Sequence, residues 1–524
     1  MGLYINLGNA GFESVRKGLY VDKSGLISFV NEKIGTKDKL ICVSRPRRFG
    51  KSFATQMLCA YYDKSCDSRS LFEDLEISGA PFYEKHLNKY NVLYLDITWF
   101  ISTVANIKDT VKYLQKEVIS ELKTVFPEAG ELGESLPVAL ANVNEITGNK
   151  FIIVIDEWDA LFREAKEDVN LQKAYIQLLR GLFKSSQTDK MIEAAYMTGI
   201  LPIKKYGTQS ALTDFREYTM LQPRQLAKYV GFTENEVEEL CAKYDMSFEK
   251  MKKWYDGYSF NREKSIYSPN SVIEAIKSEE FGNYWTETET YESLKIYIDM
   301  DEDGLKEAII QMLGGAKYPM DIGTFQNDMT SIGSKDDVLT LLVHLGYLAY
   351  DSSMRSVFIP NEEVRQEFVR AVKASRHKEV AKLILQSDSL LRETLNMNGA
   401  SVAQMIEIVH STATAPIFYN NEQALRSIIR FAYISCIDEY REIQELPSGL
   451  GYADVVYLPK KNSAMPILVI ELKWNKSSEG AIKQIKECNY PQVFEGYGSD
   501  MLLVGINYDV HSKKHTCSIE KYHI

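Results

Sequence analysis

Short, nearly continuous apolar runs alternate with longer stretches of helical period along the first part of the chain. The runs are Lys39–Val43 (KLICV), Asn91–Asp96 (NVLYLD), Phe151–Asp156 (FIIVID) and Ile192–Thr198 (IEAAYMT). Strands this apolar, separated by helices, predict a parallel sheet covered on both faces. A helix is expected over Lys51–Tyr62, directly after a loop holding Pro46 and Gly50, and this first domain is expected to span residues 1–224.

Residues 225–300 read as a helical, lid-like region. In GFTENEVEEL, Thr233 is followed three residues on by Glu236, the spacing of a capping box. The aromatic run WYDGYSF, Trp254–Phe260, comes next. Residues 301–399 are expected to form a helical, winged-helix-like linker domain. Its pattern is a helix from Val338, short strands around Gly346–Asp351 and Ser356–Ile359, and a helix after Pro360 and Asn361. Such a layout packs against partners more often than it reads DNA. Residues 400–524 return to an α/β pattern: a helix at Glu422–Ile434, strands at Tyr452–Leu458 and Pro466–Lys473, a helix at Glu479–Cys488 and a strand at Met501–Asn507.

A chain of 524 residues exceeds one core, and 45% hydrophobic with 25% charged residues is an ordinary globular composition. A net charge of −11 argues against a protein that coats nucleic acid non-specifically, though not against a local basic groove. The seven cysteines are scattered, with no C-x-x-C pair, so reduced thiols and a cytoplasmic location are expected. The N-terminus lacks a signal layout. The longest apolar candidate, Leu339–Tyr350, is interrupted by His344 and Gly346, so no membrane span is expected.

Candidate chemistry begins in SRPRRFGKS, Ser44–Ser52. A phosphate-binding loop needs backbone N–H groups at a helix N-terminus, a lysine for the terminal phosphates and a hydroxyl for Mg²⁺. Gly50, Lys51 and Ser52 supply these between strand and helix, while Arg45 and Pro46 stand where the pattern's first glycine would open the turn. FIIVIDEWD then places Asp156 and Glu157 at a strand end, suited to holding Mg²⁺ and to polarising an attacking water. Thr198 ends the next strand, either to touch the γ-phosphate or as an ordinary strand-capping residue. Arg45, Arg47 and Arg48 could neutralise phosphate, or be solvated or paired elsewhere.

With YVDKSGLI, IDEWDALF, MTGIL, GFTENEVEEL and WYDGYSF, the loop RPRRFGKS resembles the AAA-ATPase-like family that occurs fused to nuclease-like domains in bacteria and archaea. The resemblance covers about the first 290 residues. It implies a P-loop NTPase fold and an ATP site built from Arg47, Arg48, Phe49, Gly50, Lys51, Ser52, Asp156 and Thr198. Ser52 and Asp156 would hold Mg²⁺, and Glu157 would be catalytic. Asp22 and Lys23 belong to a hallmark of that family whose role the residues do not disclose.

Near the C-terminus, Asp454 lies in GYADVVYLP and Glu471 and Lys473 in PILVIELKW. Two apart on a strand, Glu471 and Lys473 share a face, although PILVI reads as buried on both sides. Buried charges need partners or a metal, and phosphodiester hydrolysis uses two carboxylates on Mg²⁺ with a lysine. The order Glu422, Asp454, Glu471-x-Lys473, Gln484 resembles the PD-(D/E)XK nuclease superfamily over about residues 400–510, though Ala453 replaces the usual proline. It implies a restriction-endonuclease-like domain with Asp454 and Glu471 as metal ligands, Lys473 as catalytic lysine, Glu422 as a helper carboxylate and Gln484 orienting the site. Lys473, Lys476, Lys483, Lys486, Arg426 and Arg430 could face phosphates or be balanced by neighbouring glutamates.

The expected function is an ATP-binding ATPase coupled to a Mg²⁺-dependent nuclease acting on nucleic acid, DNA in the first instance, with self-assembly as an open expectation. The alternative is an ATP-driven switch whose C-terminal domain only binds nucleic acid or a protein partner.

Overall fold

A computed structural model describes residues 2–184, 186–203, 205–206, 209–210, 212–260, 263, 265–285, 291–300, 304–326, 332–375, 378–413, 422–448, 451–459, 465–487 and 500–522. The chain divides into two compact units, one of residues 1–284 and 320–356, the other of residues 285–319 and 357–524.

The first unit is built on a five-stranded sheet in the order Asn91–Asp96, Phe151–Asp156, Ile192–Gly199, Leu40–Ser44, Arg216–Tyr218. Every pairing is parallel. Leu40–Ser44 and Phe151–Asp156 are buried along their whole length, as strands covered on both faces must be. The four expected strands fall in place; the edge strand Arg216–Tyr218 was not expected. One cover is the helix Thr110–Val125, whose Val111, Leu114, Val118 and Leu122 recur at helical spacing and are buried. Each such side chain contributes about 1.5–3 kcal/mol on leaving water. The helix Lys51–Tyr62 starts where the sequence places it. The capping box of the helix Glu234–Lys243 is formed: the Thr233 amide donates to Glu236 Oε2 at 2.7 Å.

The helix Lys335–Leu345 and the strand Ala349–Asp351 lie in the first unit, and the helix Glu362–Lys373 lies in the second. The second unit carries a mixed sheet ordered Tyr440–Ser448, Gly451–Pro459, Ile467–Trp474, Met501–Asp509, Lys514–Tyr522. Ile467–Trp474 and Met501–Asp509 run parallel and the other neighbours antiparallel. The helix Ser478–Glu487 lies in the crossover between the parallel pair. Its Ile482 and Ile485 join Val456, Leu458, Ile467, Val469, Met501 and Leu503 in the core. Among the described residues no helix is long and apolar enough to cross a membrane.

Candidate functional site

The loop between Leu40–Ser44 and Lys51–Tyr62 turns sharply twice. Gly50 has φ +85°, and a Cβ there would meet nothing within 4 Å, so the requirement for glycine is one of backbone conformation. Arg48 is also left-handed, at φ +61°. The Lys51 ammonium donates to the Pro46 carbonyl at 3.0 Å and lies 3.4 Å from Glu157 Oε1.

Asp156, at the tip of its buried strand, accepts from Thr55 Oγ1 at 3.4 Å and from the Ser52 side chain. Burial pushes its carboxyl up to about 6. Glu157 sits at φ +50°, a conformation a non-glycine residue adopts at a cost. Burial opposes its charge, but Lys51 and Arg163 outweigh that and hold it below the usual carboxylate range. Adjacent carboxylates are thus driven apart, one toward protonation and one toward ionisation.

Arg163 also binds Asp159 at 3.1 Å, and Asp159 accepts the amides of Ile200 and Leu201 at 3.2 and 2.9 Å. Arg163 therefore ties Glu157 to the end of the strand carrying Thr198. Thr198 pairs with Val43 in register, and its hydroxyl is buried without a hydrogen-bond partner. Lys51, Ser52, Asp156 and Glu157 are thus brought together, with Thr198 on the neighbouring strand end. An ammonium and a Ser–Asp pair at a helix N-terminus form a donor set that fits a nucleotide phosphate and Mg²⁺.

The other loop residues are placed differently. Phe49 is fully buried and packs edge-on against Tyr258 at 5.3 Å, within WYDGYSF. Arg48 donates to Asn270 Oδ1 at 3.2 Å. Arg47 contributes its charge to the field at Glu157. Arg45 is buried, donates to the Ser44 and Tyr218 carbonyls at 2.8 and 3.1 Å, and lies over the Phe260 ring at 5.4 Å. Burial lowers its guanidinium to about 10. The residue replacing the first glycine thus braces the loop against an edge strand and an aromatic segment. The Asp22–Lys23 pair also braces: Asp22 accepts the Ser24 and Glu76 amides at 2.7 Å, and Lys23 binds Glu236 at 2.6 Å and the Lys228 carbonyl at 2.8 Å.

In the second unit, Asp454 Oδ2 accepts the Leu472 amide at 2.9 Å, and its Oδ1 is held by Arg426. Glu471 Oε1 receives Lys473 Nζ at 3.0 Å and the Gln484 amide, and Gln484 Oε1 accepts from Lys473. Glu471 Oε2 is buried with no hydrogen-bond partner. Burial first, and then the neighbouring charge of Asp454, push the Glu471 carboxyl up to about 7. The face carrying Ile467 and Val469 packs apolar against Ile482 and Ile485, while Glu471 and Lys473 on the same face meet Gln484 of the same helix. Asp454, Glu471, Lys473 and Gln484 converge. A buried, unpartnered carboxylate oxygen beside a second carboxylate fits a divalent cation.

Glu422 opens the helix Glu422–Ala432, and its side chain lies outside the described residues. The basic side chains considered for phosphate are largely engaged. Arg426 holds Asp454, Arg430 holds Glu442, Lys483 lies 3.5 Å from Glu487, and Lys486 lies 2.5 Å from Glu520.

No curated protein matches the sequence. Among solved structures, the chain is similar to a Walker-type ATPase of Pyrococcus abyssi, at 15% identity over 66% of this chain and 96% of that one, with a TM-score of 0.35. It is also similar to the ORC2 protein of Aeropyrum pernix, solved in ADPNP and ADP complexes, at 11% identity over 67% and 94% of the two chains, with a TM-score of 0.24. A DNA replication initiation factor is 11% identical over 80% and 97%, with a TM-score of 0.24. Residues 7–208 match the family model described as a predicted AAA-ATPase, and with the loop geometry above they form an AAA-ATPase-like domain.

Proposed function

We propose that the chain is an ATP-hydrolysing protein whose second unit is a Mg²⁺-dependent phosphodiesterase acting on nucleic acid, DNA in the first instance. In the first unit, Lys51 would receive the terminal phosphate oxygens, and Ser52 and Asp156 would hold the ion. Glu157, kept ionised by Lys51 and Arg163, orients the attacking water. In the second unit, Asp454 and Glu471 would hold the ion, and Lys473, kept close to Glu471 by Gln484, would stabilise charge developing on the phosphate. Bound Mg²⁺ supplies charge neutralisation and a water of lowered pKa.

The observation that carries the second half is the meeting of Asp454, Glu471, Lys473 and Gln484 with one Glu471 oxygen buried and unpartnered. A cleavage assay on labelled DNA with Mg²⁺ tests it. Cutting is expected from the wild type and lost in Lys473→Ala; cutting that persists in the variant refutes the assignment of Lys473.

One observation favours a second reading, an ATP-driven switch whose second unit only binds. Arg426 already neutralises an Asp454 oxygen that the first reading gives to the metal. Nucleotide-sensitive DNA binding without cutting, abolished by Lys51→Ala, supports that reading.

A further inference from the structure

A cleft of about 980 Å³ lies in the first unit between the helix Thr110–Val125 and the start of the helix Val169–Phe183, away from the phosphate loop. One wall is a row of lysines: Lys108, Lys112, Lys116 and Lys123. Lys112 and Lys116 lie one turn apart on the helix, a spacing of about 6 Å, and Lys108 precedes them in the short 3-10 turn Ile107–Asp109. All four are exposed.

The row is unbalanced because the same helix sends its acids elsewhere. Glu121 accepts the amides of Tyr4 and Ile5 at 3.0 Å each. Glu117 is nearest Lys116, yet at 3.9 Å. Lys123 reaches Glu131 at 3.0 Å, but that carboxylate is 94% exposed and the pair is correspondingly weak. Lys108 and Lys112 have no carboxylate partner among the described residues. Asp168, whose Oδ1 accepts the Leu171 amide, and Glu134 also line the cleft, two acids against four lysines. Between the walls the floor is apolar, formed by Val111, Ile119 and Leu171.

We propose that this cleft binds single-stranded nucleic acid, the lysine row taking successive phosphates and the apolar floor meeting the bases. The class of ligand follows from the pattern. A cluster of exposed ammonium groups, two of them without a carboxylate partner among the described residues, in a chain of net charge −11 matches a polymer of negative charge. A single strand, unlike a duplex, can turn unpaired bases toward the apolar residues between the lysines and the facing wall. No aromatic side chain lines the cleft, so recognition is through the backbone and shows little sequence preference. The site stands whether or not the second unit cuts.

The test is fluorescence anisotropy of a labelled oligothymidylate titrated with the full chain in EDTA, so that binding is read without cleavage, at several salt concentrations. The triple variant Lys108→Ala/Lys112→Ala/Lys116→Ala is expected to bind about tenfold or more weakly. It should also lose about 2 from the slope of log affinity against log salt, as expected for three released phosphate contacts on a single strand. Circular dichroism should be unchanged, since the lysines are exposed, and Lys483→Ala/Lys486→Ala should bind as the wild type does. Wild-type affinity and slope in the triple variant would overturn the proposal, as would absence of binding by the wild type. Tighter binding of a duplex, or equal competition by polyglutamate, would overturn the ligand class. A chain that binds in this way but never cuts DNA with Mg²⁺ contradicts only the phosphodiesterase reading.

Discussion

Lys51 Nζ lies 3.4 Å from Glu157 Oε1, so the side chain suited to receive phosphate and the one suited to orient water hold each other. Phosphate oxygens must compete with Glu157 and the Pro46 carbonyl for the same ammonium. Lys51→Ala removes a charge-assisted contact worth about 1.5–3 kcal/mol and is expected to weaken nucleotide binding about tenfold or more. Calorimetric titration with a non-hydrolysable ATP analogue checks this.

Glu157 owes its ionised state to Lys51 and Arg163. Glu157→Gln should keep or raise nucleotide affinity, since it frees the Lys51 ammonium, while lowering kcat by about 10²–10⁴-fold. Arg163→Ala removes one of the three cations acting on Glu157, beside Lys51 and Arg47, so the Glu157 pKa rises. A base must be deprotonated to act, so the acid limb of the kcat–pH profile should move to higher pH. Loss of fold alone would lower the profile without moving the limb.

His410 Nδ1 and His515 Nε2 meet at 2.7 Å in the second unit. Burial, and for His410 also the facing His515, lower them to about 3 and 4. The unfolded chain takes up these protons near pH 6.5 and the folded chain does not. Stability from the pair is therefore present above about pH 6.5 and lost as pH falls toward 4, by about 1.4 kcal/mol per pH unit for each histidine. Urea denaturation at pH 7 and pH 5 should show a larger drop in the wild type than in His410→Gln/His515→Gln.

Lys23 is a half-buried cation spent on Glu236 and a carbonyl, all within the first unit. Lys23→Met leaves Glu236 without its cation and should cost about 1–2 kcal/mol, between the values of exposed and buried pairs. The double variant with Glu236→Gln should recover part of it. A double-mutant cycle read by chemical denaturation measures the coupling.

Much of this was legible in the residues. The strands Asn91–Asp96 and Phe151–Asp156 and the helix Lys51–Tyr62 have the bounds that their apolar runs and the loop glycine mark. Glu471 and Lys473 share a face as period two demands, and Gln484 joins them. The edge strands were not legible. Tyr440–Ser448 contains Pro447, and Lys514–Tyr522 is largely exposed, so neither shows an apolar run or a clean alternation. Arg45 and Lys23 look solvent-facing in sequence. Their burial depends on Tyr218, Phe260 and Glu236, partners distant along the chain that no local pattern announces. The lysine row was hidden because Glu117 and Glu121 balance it in composition, and only the fold turns Glu121 toward Tyr4 and Ile5.

If the proposed function holds, Mg²⁺ binds beside phosphate at two separate places, between Ser52 and Asp156 and between Asp454 and Glu471. A crystal of the full chain grown with Mn²⁺ and a non-hydrolysable ATP analogue tests it through anomalous scattering. The account predicts one peak between Ser52 and Asp156 with the triphosphate at Lys51, and another between Asp454 and Glu471 with Arg426 displaced. Crystals with the analogue bound away from Lys51, or lacking the peak at Ser52 and Asp156 or the peak at Asp454 and Glu471, would contradict it.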